Sequence, residues 1–86
     1  MATLTTMAAI EATANGIGLS WVPDVVTRLT RLGLSIEQAK IRLVEAAQDG
    51  AIELRPESGL GRCTPSEIAA MPVGFDGCRL SWARAV

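Results

Sequence analysis

The segment "GLSIEQ", from Gly33 to Gln38, most constrains the fold, because it ends one helix and begins another within a few residues. Glycine readily adopts the left-handed conformation that commonly ends a helix. Ser35 followed three residues later by Gln38 is a capping box, in which each side chain accepts a hydrogen bond from the backbone N–H of the other residue. The segment therefore predicts two helices joined by a tight corner, a helix-turn-helix.

Apolar residues recur at helical spacing on both sides of this corner. Before it they are Val22, Val25, Val26, Leu29 and Leu32, and after it the inner stripe is Ile36, Ala39, Leu43 and Ala47. Pro23 suits the first turn of the earlier helix, and Gly50 is a typical stop for the later one.

The rest of the chain predicts two further helices and three short strands. Residues 2 to 14 form helix one, with one apolar arc made of Leu4, Met7, Ala8, Ile10 and Ala14. Apolar and polar residues alternate around residues 19–21, 52–55 and 79–84, which predicts a strand in each segment. We expect the last two strands to pair antiparallel. Thr64 and Glu67 form a second capping box, which predicts a short helix over residues 66–71.

Trp21 and Trp82 each alternate with polar neighbours in a predicted strand. Exposed tryptophans could stack on nucleic-acid bases. Large aromatic side chains more often fill a core, and we expect these two to pack there.

Composition limits the possible classes of protein. A chain of 86 residues forms a single domain, here residues 1–86. Its hydrophobic fraction of 49% is high for this size, which leaves open a homodimer through helix one. The net charge of −1 excludes an overall basic field that would attract nucleic acid.

The residues that usually carry catalysis are scarce. The chain has no His and no Tyr, so we expect neither an enzyme nor a cofactor site. Cys63 and Cys78 are too few for a zinc site, although a disulfide between them stays open. The N-terminal residues lack the basic segment of a secretory signal, which predicts a cytoplasmic protein with free thiols.

The order helix, short strand, helix, helix, strand, loop and strand resembles the winged helix-turn-helix family. The stretch "GLSWVPDVVTRLTRLGLSIEQAKIRLVEAAQDGAIELRPE" carries this resemblance. It implies an α+β fold, mostly α with a small antiparallel sheet. One departure concerns the wing, which is a short hairpin loop in the family and here is a longer segment with its own predicted helix.

The resemblance also implies DNA binding, with the helix after the corner in the major groove. Gln38, Ile41 and Arg42 would then meet bases. Arg28 and Arg31 would hold phosphates, and Arg55 and Arg62 would belong to the wing. The first expectation is therefore a small winged-helix regulator of transcription, or an accessory factor, that binds double-stranded DNA.

The charges also support an alternative. Glu37 and Glu45 share the expected DNA-reading helix and would repel phosphates. Specific DNA-binding proteins make about 6–10 phosphate contacts, more than this chain supplies on one side once its acids are counted. The alternative is a winged-helix protein-interaction module, an adaptor or inhibitor of a larger protein. An internal salt bridge of Arg55 also stays open.

Overall fold

The computed structural model describes residues 4–57, 60–74 and 77–86. The described elements are α1 (Leu4–Thr13), β1 (Ser20–Trp21), α2 (Val22–Arg31), α3 (Ile36–Gln48), β2 (Ile52–Pro56), a 3-10 turn (Leu60–Arg62), α4 (Pro65–Ala69) and β3 (Leu80–Ala85). The fold is α+β, and the elements follow the predicted order. The predicted start of helix one at residue 2 lies outside the described residues. None of the described helices is long and apolar enough to cross a membrane.

The corner between α2 and α3 has the predicted geometry. Gly33 has a φ of 104°, which favours glycine. The Ser35 hydroxyl accepts the Gln38 N–H at 3.1 Å, and the Gln38 side-chain oxygen accepts the Ser35 N–H at 2.9 Å. Thr64 and Glu67 form the equivalent pair at the start of α4. Both predicted capping boxes are thus confirmed.

The strands form one antiparallel sheet in the order β1-β3-β2. Trp21 of β1 lies opposite Trp82 of β3, and Leu54 of β2 lies opposite Ala83. The register shifts between Arg55 and Pro56. The predicted pairing of the last two strands is confirmed, and β2 forms an edge of the sheet.

Helices α1, α2 and α3 pack together over one face of this sheet. Their shared core consists of Ala9, Ile10, Val22, Val25, Val26, Leu29, Ala39, Leu43, Ala46, Ile52, Ala70 and Ala83. The side chains are mostly aliphatic and small, so the helices approach the sheet closely.

The sheet buries its small residues, and the prediction that the tryptophans fill the core is wrong. Ser20, Ser81 and Ala83 are fully buried, and the Ser20 hydroxyl donates to the Ile10 carbonyl at 2.6 Å. Because side chains alternate along a strand, Trp21 and Trp82 lie on the opposite face, half-buried. Their rings meet edge to face at 4.9 Å between centroids. The face that α1 and α2 cover carries these three small residues instead.

The predicted apolar arc of helix one is also partly wrong. Leu4 is 90% exposed and Ala8 is exposed, whereas Thr6, Ala9 and Ile10 are buried. An Ala- and Thr-rich helix has little contrast between its faces, and threonine can enter an interface when its hydroxyl bonds to the helix backbone. Thr13 shows this arrangement in α1, where its hydroxyl donates to the Ala9 carbonyl at 2.8 Å.

Candidate interaction site

The outer face of α3 is acidic and apolar. The helix buries Ala39, Leu43 and Ala46. The side opposite these residues carries Glu37, Ile41, Glu45 and Gln48, since successive residues of a helix are rotated by about 100°. Ile41 is 56% exposed. This outer face therefore presents two carboxylates and an exposed isoleucine, and of the three residues predicted to read bases only Ile41 lies at its centre.

Arg42 and Gln38 lie to one side of this outer face. Arg42 lines a groove together with Thr5 of α1 and Leu34 of the corner, so it faces the α1 side of the domain. The side-chain oxygen of Gln38 is held by the Ser35 N–H. Gln38 lies three and four residues before Ile41 and Arg42, and all three are exposed, so the residues predicted to read bases are neighbours on the surface of α3.

Lys40, on the other flank of α3, is occupied by contacts within the chain. Its ammonium group lies 3.0 Å from the Glu37 carboxylate and donates to the Ala69 carbonyl at 3.1 Å. Its side chain is only 18% exposed. Ala69 is the last residue of α4, so Lys40 holds this short helix beside α3.

Three of the predicted arginines line two adjoining grooves at the edge of α1. Arg28 and Arg31 line a groove of about 470 Å³ that also includes Thr5, Ala8 and Leu32. Arg42 lines an adjoining groove of about 390 Å³ that shares Thr5 and Leu32 and adds Leu34. We call this combined surface the arginine groove, formed by Thr5, Ala8, Arg28, Arg31, Leu32, Leu34 and Arg42.

The guanidinium groups of the arginine groove have no partner in the part of the chain that the structure describes. No hydrogen bond or ion pair there engages Arg28, Arg31 or Arg42. Leu32 is 61% exposed because it follows the last residue of α2, although the sequence pattern places it on the buried face. The arginine groove thus combines three unpaired positive charges with an exposed leucine.

The two remaining predicted site residues do not line this groove. Arg55 forms a salt bridge with Glu53 at 3.2 Å, one of the two roles that the sequence left open. Arg62 is exposed in the 3-10 turn. Of the seven candidate residues, Arg28, Arg31 and Arg42 line the arginine groove, Gln38 and Ile41 lie beside Arg42 on α3, and Arg55 and Arg62 lie elsewhere.

A contact that the sequence did not predict joins α4 to the sheet. The Glu67 carboxylate accepts the Thr64 N–H at 3.0 Å and the Trp21 indole N–H at 3.2 Å. These hydrogen bonds, the Thr64 backbone first, lower the pKa of Glu67. On the same side of the sheet, Trp82 donates its indole N–H to Glu57 at 3.1 Å. No local signal could reveal pairs so distant in sequence.

The two cysteines are not joined, and Cys63 is not an activated thiol. Cys63 is half-buried and Cys78 is exposed, and the two do not form a disulfide. Burial raises the pKa of Cys63, and the nearby Glu67 and Glu57 charges raise it further. A raised pKa disfavours the reactive thiolate.

Within residues 4–57, 60–74 and 77–86, no group of three His, Cys, Asp or Glu side chains could hold a metal ion.

No protein-family model matches this chain, and no curated protein or solved structure gives a significant match. Function is therefore inferred from the surfaces and side chains described above.

Proposed function

We propose that this chain is a winged-helix protein-interaction module that binds an acidic segment of a larger protein through the arginine groove. The element order and the tight α2–α3 corner support the winged-helix assignment, because they are the features that carry the resemblance. The module would act as an adaptor or inhibitor without chemistry of its own.

The observation that carries this proposal is that Arg28, Arg31 and Arg42, unpaired among the described residues, line two adjoining grooves that share the exposed Leu32. Guanidinium matches the geometry of a carboxylate and is common at protein interfaces. Leu32 and the half-buried Leu34 supply apolar area beside Arg42. A segment that carries carboxylates and at least one apolar side chain complements both properties of the groove.

Charge distribution makes protein a better ligand than duplex DNA. Three clustered arginines fall short of the roughly 6–10 phosphate contacts of a specific DNA-binding protein. Lys40 is paired with Glu37 and Arg55 with Glu53, while Glu45 adds a further carboxylate to α3. Phosphates at α3 would therefore find Lys40 already engaged and would meet the Glu45 carboxylate.

DNA binding is the second candidate, and the same unpaired arginines favour it. Arg28, Arg31 and Arg42 could hold phosphates while Gln38 and Ile41 lie near bases, with Arg62 at the wing. In this case the chain would be a regulator of transcription or an accessory factor.

A competition between the two ligand classes tests these proposals. Fluorescence anisotropy would measure binding of a synthetic peptide of glutamate and leucine, and of a pool of duplex DNA fragments, at low and physiological salt. The proposal predicts peptide binding that the triple variant Arg28→Gln/Arg31→Gln/Arg42→Gln weakens by about tenfold, since each exposed ion pair contributes roughly 0.2–1 kcal/mol.

Arg84→Gln serves as the control, because Arg84 is exposed at the end of β3, away from the arginine groove. This variant should bind like the wild type. Stronger binding to DNA than to peptide, lost in the triple variant, would support the second candidate and contradict the first. An absence of binding to either ligand would contradict both.

A further inference from the structure

Two residues of β2 have backbone N–H and C=O groups that face the free edge of the sheet. The Val86 N–H donates to the Ala51 carbonyl at 3.1 Å, which makes these residues a hydrogen-bonded pair of the β2–β3 ladder. Such pairs alternate along an antiparallel ladder, so the next ones are Glu53 with Arg84 and Arg55 with Trp82. The N–H and C=O groups of Ile52 and Leu54 therefore point away from β3, toward the free edge.

No hydrogen bond satisfies these outward groups within the part of the chain that the structure describes. Sheet edges of this kind can pair with a strand of another chain. Pro56, which has no N–H, limits the pairing to the short segment before it.

An apolar groove of about 820 Å³ lies along the same edge. It runs between α3 and β2, and its apolar lining includes Val44, Ala47, Leu54, Val73 and Leu80. Val73 is 54% exposed, and Val44, Ala47 and Leu54 are half-buried. A strand added to β2 would cover part of this apolar surface, and burial of that surface would favour its addition.

The charges of β2 make it complementary to a second copy of itself in one register. Glu53 and Arg55 project from the face opposite Ile52 and Leu54, and both are exposed. If two copies of β2 pair antiparallel with Leu54 opposite Leu54, Glu53 faces Arg55 of the partner subunit, and the same contact occurs twice. A shift of the register by two residues places Glu53 opposite Glu53, or Arg55 opposite Arg55, and like charges in these positions destabilise the pair.

We propose that a second copy of this chain docks on β2 and extends the sheet across a two-fold axis at Leu54. The two Leu54 residues exchange backbone hydrogen bonds, two Glu53–Arg55 contacts flank them, and each copy covers the apolar groove of the other. Both subunits use the same surface, as in other two-fold dimers. This interface differs from the helix-one dimer expected from composition, and it does not depend on the proposed ligand.

Charge reversal tests the interface, with sedimentation equilibrium as the measurement. The wild type should dimerise. Glu53→Arg and Arg55→Glu should each weaken self-association by roughly tenfold, because each places like charges opposite one another twice. An equimolar mixture of the two variants should form a heterodimer about as tightly as the wild type dimerises, because opposite charges then face each other again.

Two further variants complete the test, after circular dichroism has confirmed that all variants fold. The double variant Glu53→Arg/Arg55→Glu should dimerise like the wild type. Leu4→Gln, at a 90% exposed position of α1, should leave the dimer intact. A monomeric wild type would overturn the inference. So would a mixture that associates no better than the single variants, or a dimer that Leu4→Gln dissociates and the charge reversals do not.

Discussion

At the scale of single residues, Glu67 shows what local sequence signals can and cannot predict. The spacing of Thr64 and Glu67 predicts a capping box, because both partners lie within one helical turn. The Trp21 hydrogen bond to the same carboxylate joins residues 46 positions apart. This contact depends on how α4 folds back on the sheet, which no local pattern specifies.

The lowered pKa of Glu67 predicts a pH-dependent contribution to stability. The fold stabilises the ionised carboxylate, so its contribution is present above the ordinary carboxyl value of 4.5 and is lost as the pH falls through the lowered folded-state pKa. Denaturant unfolding at several pH values would compare the wild type with Glu67→Gln. The variant should be less stable at pH 7, and the difference should shrink on acidification.

Glu11→Gln is the matched control, because Glu11 is exposed on α1 and its carboxylate forms no hydrogen bond or ion pair with a described residue. It should change stability little. A difference for Glu67→Gln that stays constant down to acidic pH would contradict the role given to the ionised carboxylate.

At the scale of secondary structure elements, the sequence predicts the position and order of helices and strands. It predicts less accurately which face of each element is buried. Caps and glycine stops are local signals, so the corner at Gly33 and the bounds of α3 are predictable. The strands are harder, because alternation shows two faces without showing which one is buried. In β3, residue size suggests that the face with Trp82 is the buried one. The opposite face, with Ser81 and Ala83, is buried instead, because α1 and α2 pack closely on the sheet.

This close packing predicts that the buried face of β3 cannot accept a larger side chain. Ala83 is completely buried in the core. Ala83→Leu should lower the free energy of unfolding by about 1–3 kcal/mol, the usual cost of overpacking a core. Ala85→Leu is the control, since Ala85 lies on the same side of β3 but is exposed. Equal effects in chemical denaturation would show that α1 and α2 do not limit the space at Ala83.

At the scale of the whole molecule, the sequence predicts the fold more completely than the site. The sequence predicts Arg28, Arg31 and Arg42 as site residues. It does not predict that they line adjoining grooves, because these grooves depend on the packing of α1 against α2 and α3. The resemblance assigns Arg42 to base reading on α3, whereas in the structure Arg42 lines a groove beside Thr5. Three arginines without a partner among the described residues therefore lie at the edge of α1, and the outer face of α3 carries Glu37 and Glu45.

The central claim is that the arginine groove is the ligand-binding surface, and NMR mapping tests it most directly. Backbone and guanidinium resonances of the labelled protein would be followed while the glutamate–leucine peptide, and separately duplex DNA, is added. The account predicts that the peptide shifts resonances of Arg28, Arg31, Leu32 and Arg42, while Glu37 and Ile41 are unaffected. Shifts that instead concentrate at Glu37, Ile41 and Glu45 with either ligand would contradict it.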